Sequence, residues 1–190
     1  MLITTGVLSG TVATDLEVDW LERLGYAARD LPTLDFWRLF SSALVTESPR
    51  GFYQALALVT LGVGGLELRR GTLRATLSFW GLHLATLLVN AGVYEVVPAL
   101  AEVGSARDVG PSAGYFGCLA AFSATFGRWG HSFNVLLFAS LIIVFAHSVI
   151  DKPSGELSVI SANLAHVVAY ALGWGMGVVL NKQAKVERAR

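Results

Sequence analysis

Residues 129–150 of the chain read WGHSFNVLLFASLIIVFAHSVI, 22 positions without a Lys, Arg, Asp or Glu. A helix needs about 20 predominantly apolar residues to cross the hydrocarbon core of a bilayer, which is ~30 Å thick. Four more uncharged stretches, of 16, 20, 19 and 25 residues, occur at 51–66, 75–94, 109–127 and 157–181. A chain of 190 residues is too small to bury five such helices in water, so the sequence predicts an all-α, polytopic membrane helix bundle.

The composition excludes several other classes of protein. Hydrophobic residues make up 54% of the chain and charged residues 15%, whereas a soluble domain carries about 25% charge. The net charge of zero (14 basic minus 14 acidic residues) gives no field that attracts nucleic acid, and we expect no nucleic-acid partner. The single cysteine, Cys118, excludes an internal disulfide and a cysteine-based zinc site.

The division of the chain follows from where its charges lie. Residues 1–14 are uncharged but would reach only ~21 Å as a helix, so they predict a short or truncated first span. With it, the chain has six spans; without it, five. We expect an external amphipathic loop over 15–50, a five-span core over 51–181, and a basic tail over 182–190. Apolar residues, including two tryptophans, alternate with charges in the loop, which is typical of interfacial segments.

The distribution of basic residues predicts the orientation in the membrane. The segments on one side, 67–74, Arg128 and 182–190, contain eight basic and two acidic residues. Those on the other side, 15–50, 95–108 and 151–156, contain six basic and twelve acidic residues. Short loops rich in Lys and Arg remain in the cytoplasm. We therefore expect a cytoplasmic C-terminus and an external first loop.

One serine stands at the outer end of the fourth span, in the segment GPSAG at 110–114. Proline suits the start of a helix, because its missing N–H would have no partner there. A helix from Ser112 to Arg128 is ~25 Å long, which is shorter than the hydrocarbon core. Ser112 should thus lie below the outer surface. Non-helical backbone at that depth requires a water-filled cavity beside it or burial in protein.

A histidine in the last span lies at a matching depth. His166 is about ten residues, or ~15 Å of helix, from the outer end at Glu156. Gly173 and Gly177 follow at a spacing that allows close helix packing. Ser112 and His166 are therefore a candidate nucleophile and general base. The alternative is that both are structural polar groups, the role we also assign to His83. We expect Cys118 to be a small buried core residue.

Other motifs accompany Ser112 and His166 along the chain. The motifs are Trp37-Arg38 in the first loop, Glu67 and Gly71 at the end of the second span, Gly110-x-Ser112 with Phe116-Gly117 in the fourth span, and Ala165-His166 with Gly173 in the last. Together these motifs resemble those of the rhomboid intramembrane serine proteases. They occur in the family's order, and the resemblance extends from about residue 35 to residue 180.

The resemblance implies a six-helix bundle whose short fourth helix carries the nucleophile. It implies that Ser112 attacks, that His166 is the general base, and that Phe116 packs beside the histidine ring. Gly110 and Gly114 would belong to the pocket. Family members cleave transmembrane proteins within the lipid bilayer and use no metal or cofactor, so the expected partners are transmembrane substrates and lipid.

Several positions depart from the family pattern. The family's His-x-x-x-Asn, which serves the oxyanion hole, falls on Gly51 and Ala55, which have no donor side chain. Gln54 is adjacent but should point about 100° away. Pro111, before the nucleophile, has no N–H to donate. Since one lost oxyanion donor typically costs ~2.7–4 kcal/mol, two functions stay open: a protease, or a pseudoprotease that binds transmembrane helices without cleaving them.

Overall fold

The computed structural model describes residues 1–151 and 157–189, and the side chains of this part up to residue 183. Within these residues the chain is helical and forms no β-strand, although Tyr26 and Asp108 exchange two backbone hydrogen bonds. The helices are α1 Leu2–Leu8, α2 Val18–Leu24, α3 Arg38–Ser41, α4 Pro49–Leu58, α5 Gly65–Arg70, α6 Thr72–Val96, α7 Ser112–Ser123, α8 Gly127–Ile150 and α9 Leu157–Ala189. Of the predicted loop 151–156 only residue 151 is described, and of the predicted basic tail the backbone is described to residue 189 and the side chains to residue 183.

Four helical stretches of the described chain are long and apolar enough to cross a membrane. They are Pro49–Arg70, Thr72–Val96, Ser112–Ile150 and Leu157–Gln183. An integral multi-pass membrane protein fits these stretches, as the charge-free runs predicted. The arrangement of six spans and the orientation of the termini stay predictions.

The stretch Ser112–Ile150 consists of two helices that fold back on each other. After α7 the chain makes a short 3₁₀ turn, and Gly127 then adopts a φ of +61°, which favours glycine. Asn134 hydrogen-bonds to Ser123 and, at 3.3 Å, to the carbonyl of Ala120. Residues 14 apart would be ~21 Å apart in a continuous helix, so the chain reverses here. The sequence predicted this reversal at Arg128, one residue later.

The predicted first span over residues 1–14 contains only the short helix α1. Its seven residues measure ~10 Å, and it is not among the four stretches of spanning length. It lies against the start of α4, since a Cβ on Gly6 would be 2.4 Å from the ring of Phe52. Thr5 also hydrogen-bonds to the carbonyl of Leu44.

Two arginines fold the first loop into an ordered structure. The Arg38 guanidinium donates to the carbonyls of Glu22, Arg23 and Gly25 at 2.7–3.0 Å. Arg107 donates to Glu22 at 2.8 Å and to Asp30 at 2.9 Å. Trp37, the other half of the predicted Trp-Arg motif, lies 5.0 Å from the Arg38 guanidinium with about half of its surface exposed. The loop therefore folds back on itself around two half-buried guanidinium groups.

The segment before α6 explains the predicted Glu67 and Gly71 motif. A π-helical turn, Val59–Gly64, separates α4 from α5, and α5 ends at Gly71 with a φ of +84°. Glu67 accepts hydrogen bonds from Gly71 N–H at 2.7 Å, through its carbonyl, and from the Thr72 hydroxyl at 2.6 Å, through its carboxylate. The motif thus ends one helix and begins the next.

Helices α7 and α9 approach each other more closely than side chains would allow. A Cβ on Gly173 would lie 2.0 Å from the carbonyl oxygen of Gly117. A Cβ on Gly177 would lie 2.8 Å from the Cα of Ala121. Small residues at this spacing let two helix backbones touch, which brings the N-terminal part of α7 close to α9.

Candidate functional site

Ser112 and His166 line one cavity of about 160 Å³. Ser112 is the first residue of α7, directly after Pro111, and His166 projects from α9. The start of α4 and the loop before it complete the wall. The other residues that line this cavity are Thr46, Glu47, Ser48, Gly51, Ala55, Asp108, Val109, Gly110, Pro111, Tyr115 and Ala162. We call it the serine cavity.

The ring of Phe116 packs on the imidazole of His166. The two ring centroids are 4.5 Å apart, with an angle of 44° between the planes. Phe116 lies one helical turn after Ser112, so the same short helix carries the serine and the side chain that orients the histidine. This is the contact that the resemblance implied.

The glycine before the proline has a conformation that a side chain would oppose. Gly110 has a φ of +137°, and its N–H donates to the carbonyl of Ser42 at 2.7 Å. This bond joins the chain before Ser112 to the first loop. Gly110 lines the serine cavity, as expected of a pocket residue.

One residue that the resemblance assigned to the pocket lies elsewhere. Gly114 lines no part of the serine cavity and faces α6, where a Cβ would be 2.3 Å from the ring of Phe79. Gln54, next to a pocket position in the sequence but expected to point away from the pocket, is exposed and does not line this cavity. The cause is the same for both residues: the positions next to a lining residue on a helix point in other directions.

Two positions that line the serine cavity on α4 have no side-chain donor. Gly51 and Ala55 both line the serine cavity, and Ala55 is buried. Ser48 lies at the same wall and was not singled out from the sequence. Its oxygen accepts a hydrogen bond from Gly51 N–H at 3.2 Å, which leaves its own proton available to a further acceptor. The pair Ser48-Pro49 is a typical helix start and could have been recognised as one.

Two carboxylates, which sequence reasoning also missed, lie at the serine cavity. Glu47 and Asp108 both line it, and the backbone of Asp108 pairs with Tyr26. Burial, followed by the negative charge of Glu47, raises the pKa of Asp108 to about 7. The sequence showed both as ordinary acidic residues of external segments, and their meeting depends on contacts between distant parts of the chain.

A second, smaller cavity shares Ser112, Asp108 and Gly110 with the serine cavity. It measures about 20 Å³, which is room for a single water molecule. Ser112 lines it together with buried polar residues of the first loop and of α6, which are Tyr26, Ser42, His83 and Asn90. His83 shares a hydrogen bond of 2.9 Å with the carbonyl of Leu39, and it thereby fastens the loop to α6. This is the structural role predicted for His83.

The remaining predicted residue, Cys118, belongs to the core. It is completely buried in a cluster with Leu66, Leu82 and Ala121. Among residues 1–151 and 157–189, the side chains described include no group of three His, Cys, Asp or Glu that could hold a metal ion.

No protein-family model matches the chain, and neither does any curated protein or any solved structure.

Proposed function

We propose that the chain is a rhomboid-type intramembrane serine endopeptidase that cleaves transmembrane proteins. The observation that carries the proposal is the serine cavity, which Ser112 and His166 both line and beside which Phe116 packs on the imidazole. The resemblance of the sequence motifs supports the same function. The four stretches of spanning length support a site that lies within a lipid-embedded bundle.

The proposed reaction is an acyl transfer to serine followed by hydrolysis. The Ser112 oxygen attacks the carbonyl carbon of the scissile peptide bond while His166 accepts the hydroxyl proton. The imidazolium then returns this proton to the departing amine as the C–N bond breaks, which leaves an ester on Ser112. A water molecule, deprotonated by His166, attacks the ester; as the C–O bond to Ser112 breaks, His166 returns the proton to the serine oxygen, which releases the carboxylic acid and the free serine. No metal or cofactor takes part.

The negative oxygen of the intermediate requires hydrogen-bond donors. The N–H groups of the first residues of α7, beginning with Ser112, have no partner within the helix because they belong to its first turn. The Ser48 hydroxyl is a further donor at the serine cavity. In the proposed mechanism these groups donate hydrogen bonds to the oxyanion, since Gly51 and Ala55 offer no side-chain donor and Pro111 has no N–H.

The proposed arrangement includes six spans and a defined orientation. In it, α7 and α8 are the fourth and fifth spans, and residues 1–14 contribute a short first one. The basic segments 67–74 and 182–190 face the cytoplasm, while the first loop and the serine cavity face outside.

The second candidate function is a pseudoprotease that binds transmembrane helices without cleaving them. The observation that favours it is the donor-free wall of the serine cavity at Gly51 and Ala55, together with Pro111 before the serine. Retention of both Ser112 and His166 favours the protease.

Labelling with a fluorophosphonate probe separates the two candidates. We expect the purified chain in detergent to be labelled, and we expect Ser112→Ala and His166→Ala to abolish labelling. Ser140→Ala is the matched control, because Ser140 is exposed on α8, where its hydroxyl donates to the Leu136 carbonyl at 2.9 Å, and it does not line the serine cavity. A folded wild-type sample that is not labelled would exclude the protease and leave the helix-binding protein.

A further inference from the structure

A third cavity, of about 270 Å³, opens at the end of the bundle opposite the serine cavity. It lies where α7 ends, α8 begins and the last turns of α9 pass, and its described lining contains no carboxylate. Its walls are formed by Ala124, Gly127, His131, Trp174, Val178, Asn181 and Lys182. Lys182 and His131 are exposed, and neither forms an ion pair among the described residues. The cavity therefore presents hydrogen-bond donors and positive charge.

An arginine next to a lining residue adds to the positive charge of this cavity. Arg70 donates to the Asn181 side-chain oxygen at 2.6 Å, and the Asn181 amide donates to the Ala124 carbonyl at 2.8 Å. Asn181 thus joins the end of α5 to the 3₁₀ turn after α7, with the Arg70 guanidinium within hydrogen-bond distance of this lining residue. The positive charge therefore comes from two segments that are distant in the chain, the end of α5 with Arg70 and the last turns of α9 with Lys182.

The surroundings of the cavity have the composition of a membrane–water interface. The Arg69 guanidinium lies 5.0 Å from the ring of Phe126, and the Arg128 guanidinium lies 5.4 Å from the ring of Trp129. Trp129 is 73% exposed, and farther along α8 the exposed side chains, such as Leu136, are apolar. Tryptophans and arginines at this level are typical of the headgroup region, and the apolar surface beyond it is typical of the acyl chains.

We propose that this cavity binds the headgroup of an anionic phospholipid. The phosphate would lie between Lys182 and His131, with Trp174 beside the glycerol and the acyl chains along the exposed face of α8. Charge complementarity selects this occupant: basic pockets between membrane helices suit anionic headgroups, and a zwitterionic headgroup would place a second positive charge next to Lys182. The site is independent of Ser112 and of any proteolytic activity.

The test counts lipids retained by the full chain in native mass spectrometry, after equilibration with equal amounts of phosphatidylglycerol and phosphatidylcholine. We expect the wild type to retain phosphatidylglycerol preferentially. Lys182→Gln should weaken this retention about fivefold and leave phosphatidylcholine unchanged, since one basic residue near the surface contributes on that order. His131→Gln should weaken it less. Arg74→Gln is the matched control, because Arg74 is exposed on α6 and does not line the cavity.

Three outcomes would overturn the proposal. Equal losses for Lys182→Gln and Arg74→Gln would mean a diffuse electrostatic attraction instead of a site. Equal retention of the two lipids by the wild type would mean that the cavity does not select charge. Displacement of phosphatidylglycerol by millimolar inorganic phosphate would mean that the cavity binds free phosphate and not a lipid. The variants change exposed side chains, so the folded fraction, checked by size-exclusion chromatography, should stay the same.

Discussion

Helices α7 and α8 follow one another in the chain and are both almost free of charge, yet they are buried to very different degrees. The structure buries eight of the twelve residues of α7 and only two of the twenty-four residues of α8, Gly130 and Asn134. Close backbone contact with α9 holds α7, while α8 is held by single side chains along its length, such as Asn134, Phe138 and Val149. Hydropathy cannot distinguish the two helices, because lipid and a protein interior are equally apolar; the small and polar residues distinguish them.

The largest effect should follow from filling the contact between α7 and α9. In Gly173→Val the new Cβ would lie 2.0 Å from the carbonyl oxygen of Gly117, where backbone has to move. We expect a loss of about 3 kcal/mol or more in the free energy of unfolding, measured by denaturant unfolding in mixed micelles. Gly175→Val is the matched control, because a Cβ on Gly175 meets nothing within 4 Å. Equal losses in the two variants would contradict the close contact.

A smaller effect should follow from removing the polar contact that holds α8. Asn134 accepts hydrogen bonds from the Tyr170 hydroxyl at 2.6 Å and from the Ser123 hydroxyl, and all three groups are buried. Asn134→Leu would leave both hydroxyls without this acceptor, so we expect a loss of about 1–2 kcal/mol. In the double variant with Tyr170→Phe the losses should be less than additive. Additive losses would show that the network does not connect α8 to α9.

The loop directly before α7 should make the stability of the fold depend on pH, through Asp108. The pKa of Asp108 is raised from its usual 3.8 to about 7 by burial and by Glu47. Between about pH 4 and pH 7 the folded chain therefore holds a proton that the unfolded chain has released, so stability should fall as pH rises through this window and level off above it. Asp108→Asn should flatten the profile. An unchanged profile in that variant would place the titrating group elsewhere.

The smallest effect should come from the lipid-facing surface of α8. Leu136 is 70% exposed, and in the bilayer its side chain would pass from one apolar environment to another on unfolding within the membrane. We expect Leu136→Ala to change the free energy of unfolding by less than about 0.5 kcal/mol. A loss comparable with that of Asn134→Leu would mean that a partner covers this face.

The sequence predicted what depends on local spacing. Charge-free runs indicated the spans, and glycines four residues apart indicated the contact through which Gly173 meets Gly117. The meeting of Ser112 and His166 at one cavity was predicted from matching depths along two helices. In each case the relevant distance runs along a helix axis, and it can be counted in residues.

The parts that were missed or misplaced depend on rotation about helices and on contacts between distant segments. Gly114 was assigned to the pocket but faces Phe79, because its direction depends on how α7 is rotated against α6. The meeting of Asp108 with Glu47, and of Asn134 with Tyr170, joins residues 36 or more positions apart in the chain. No local pattern encodes such pairs, and their energies appear only when the helices are packed.

The π-helical turn Val59–Gly64 has a consequence for the serine cavity. A turn with one additional residue rotates everything after it by about 100° relative to a regular α-helix. Ala55 lines the cavity before the turn, and Glu67 fixes the end of α5 after it. The one additional residue in the turn therefore sets the rotation of Ala55 about the helix axis relative to Glu67. Deleting one residue inside this turn would rotate the face of α4 that carries Ala55 away from Ser112, although no residue that lines the cavity had been changed.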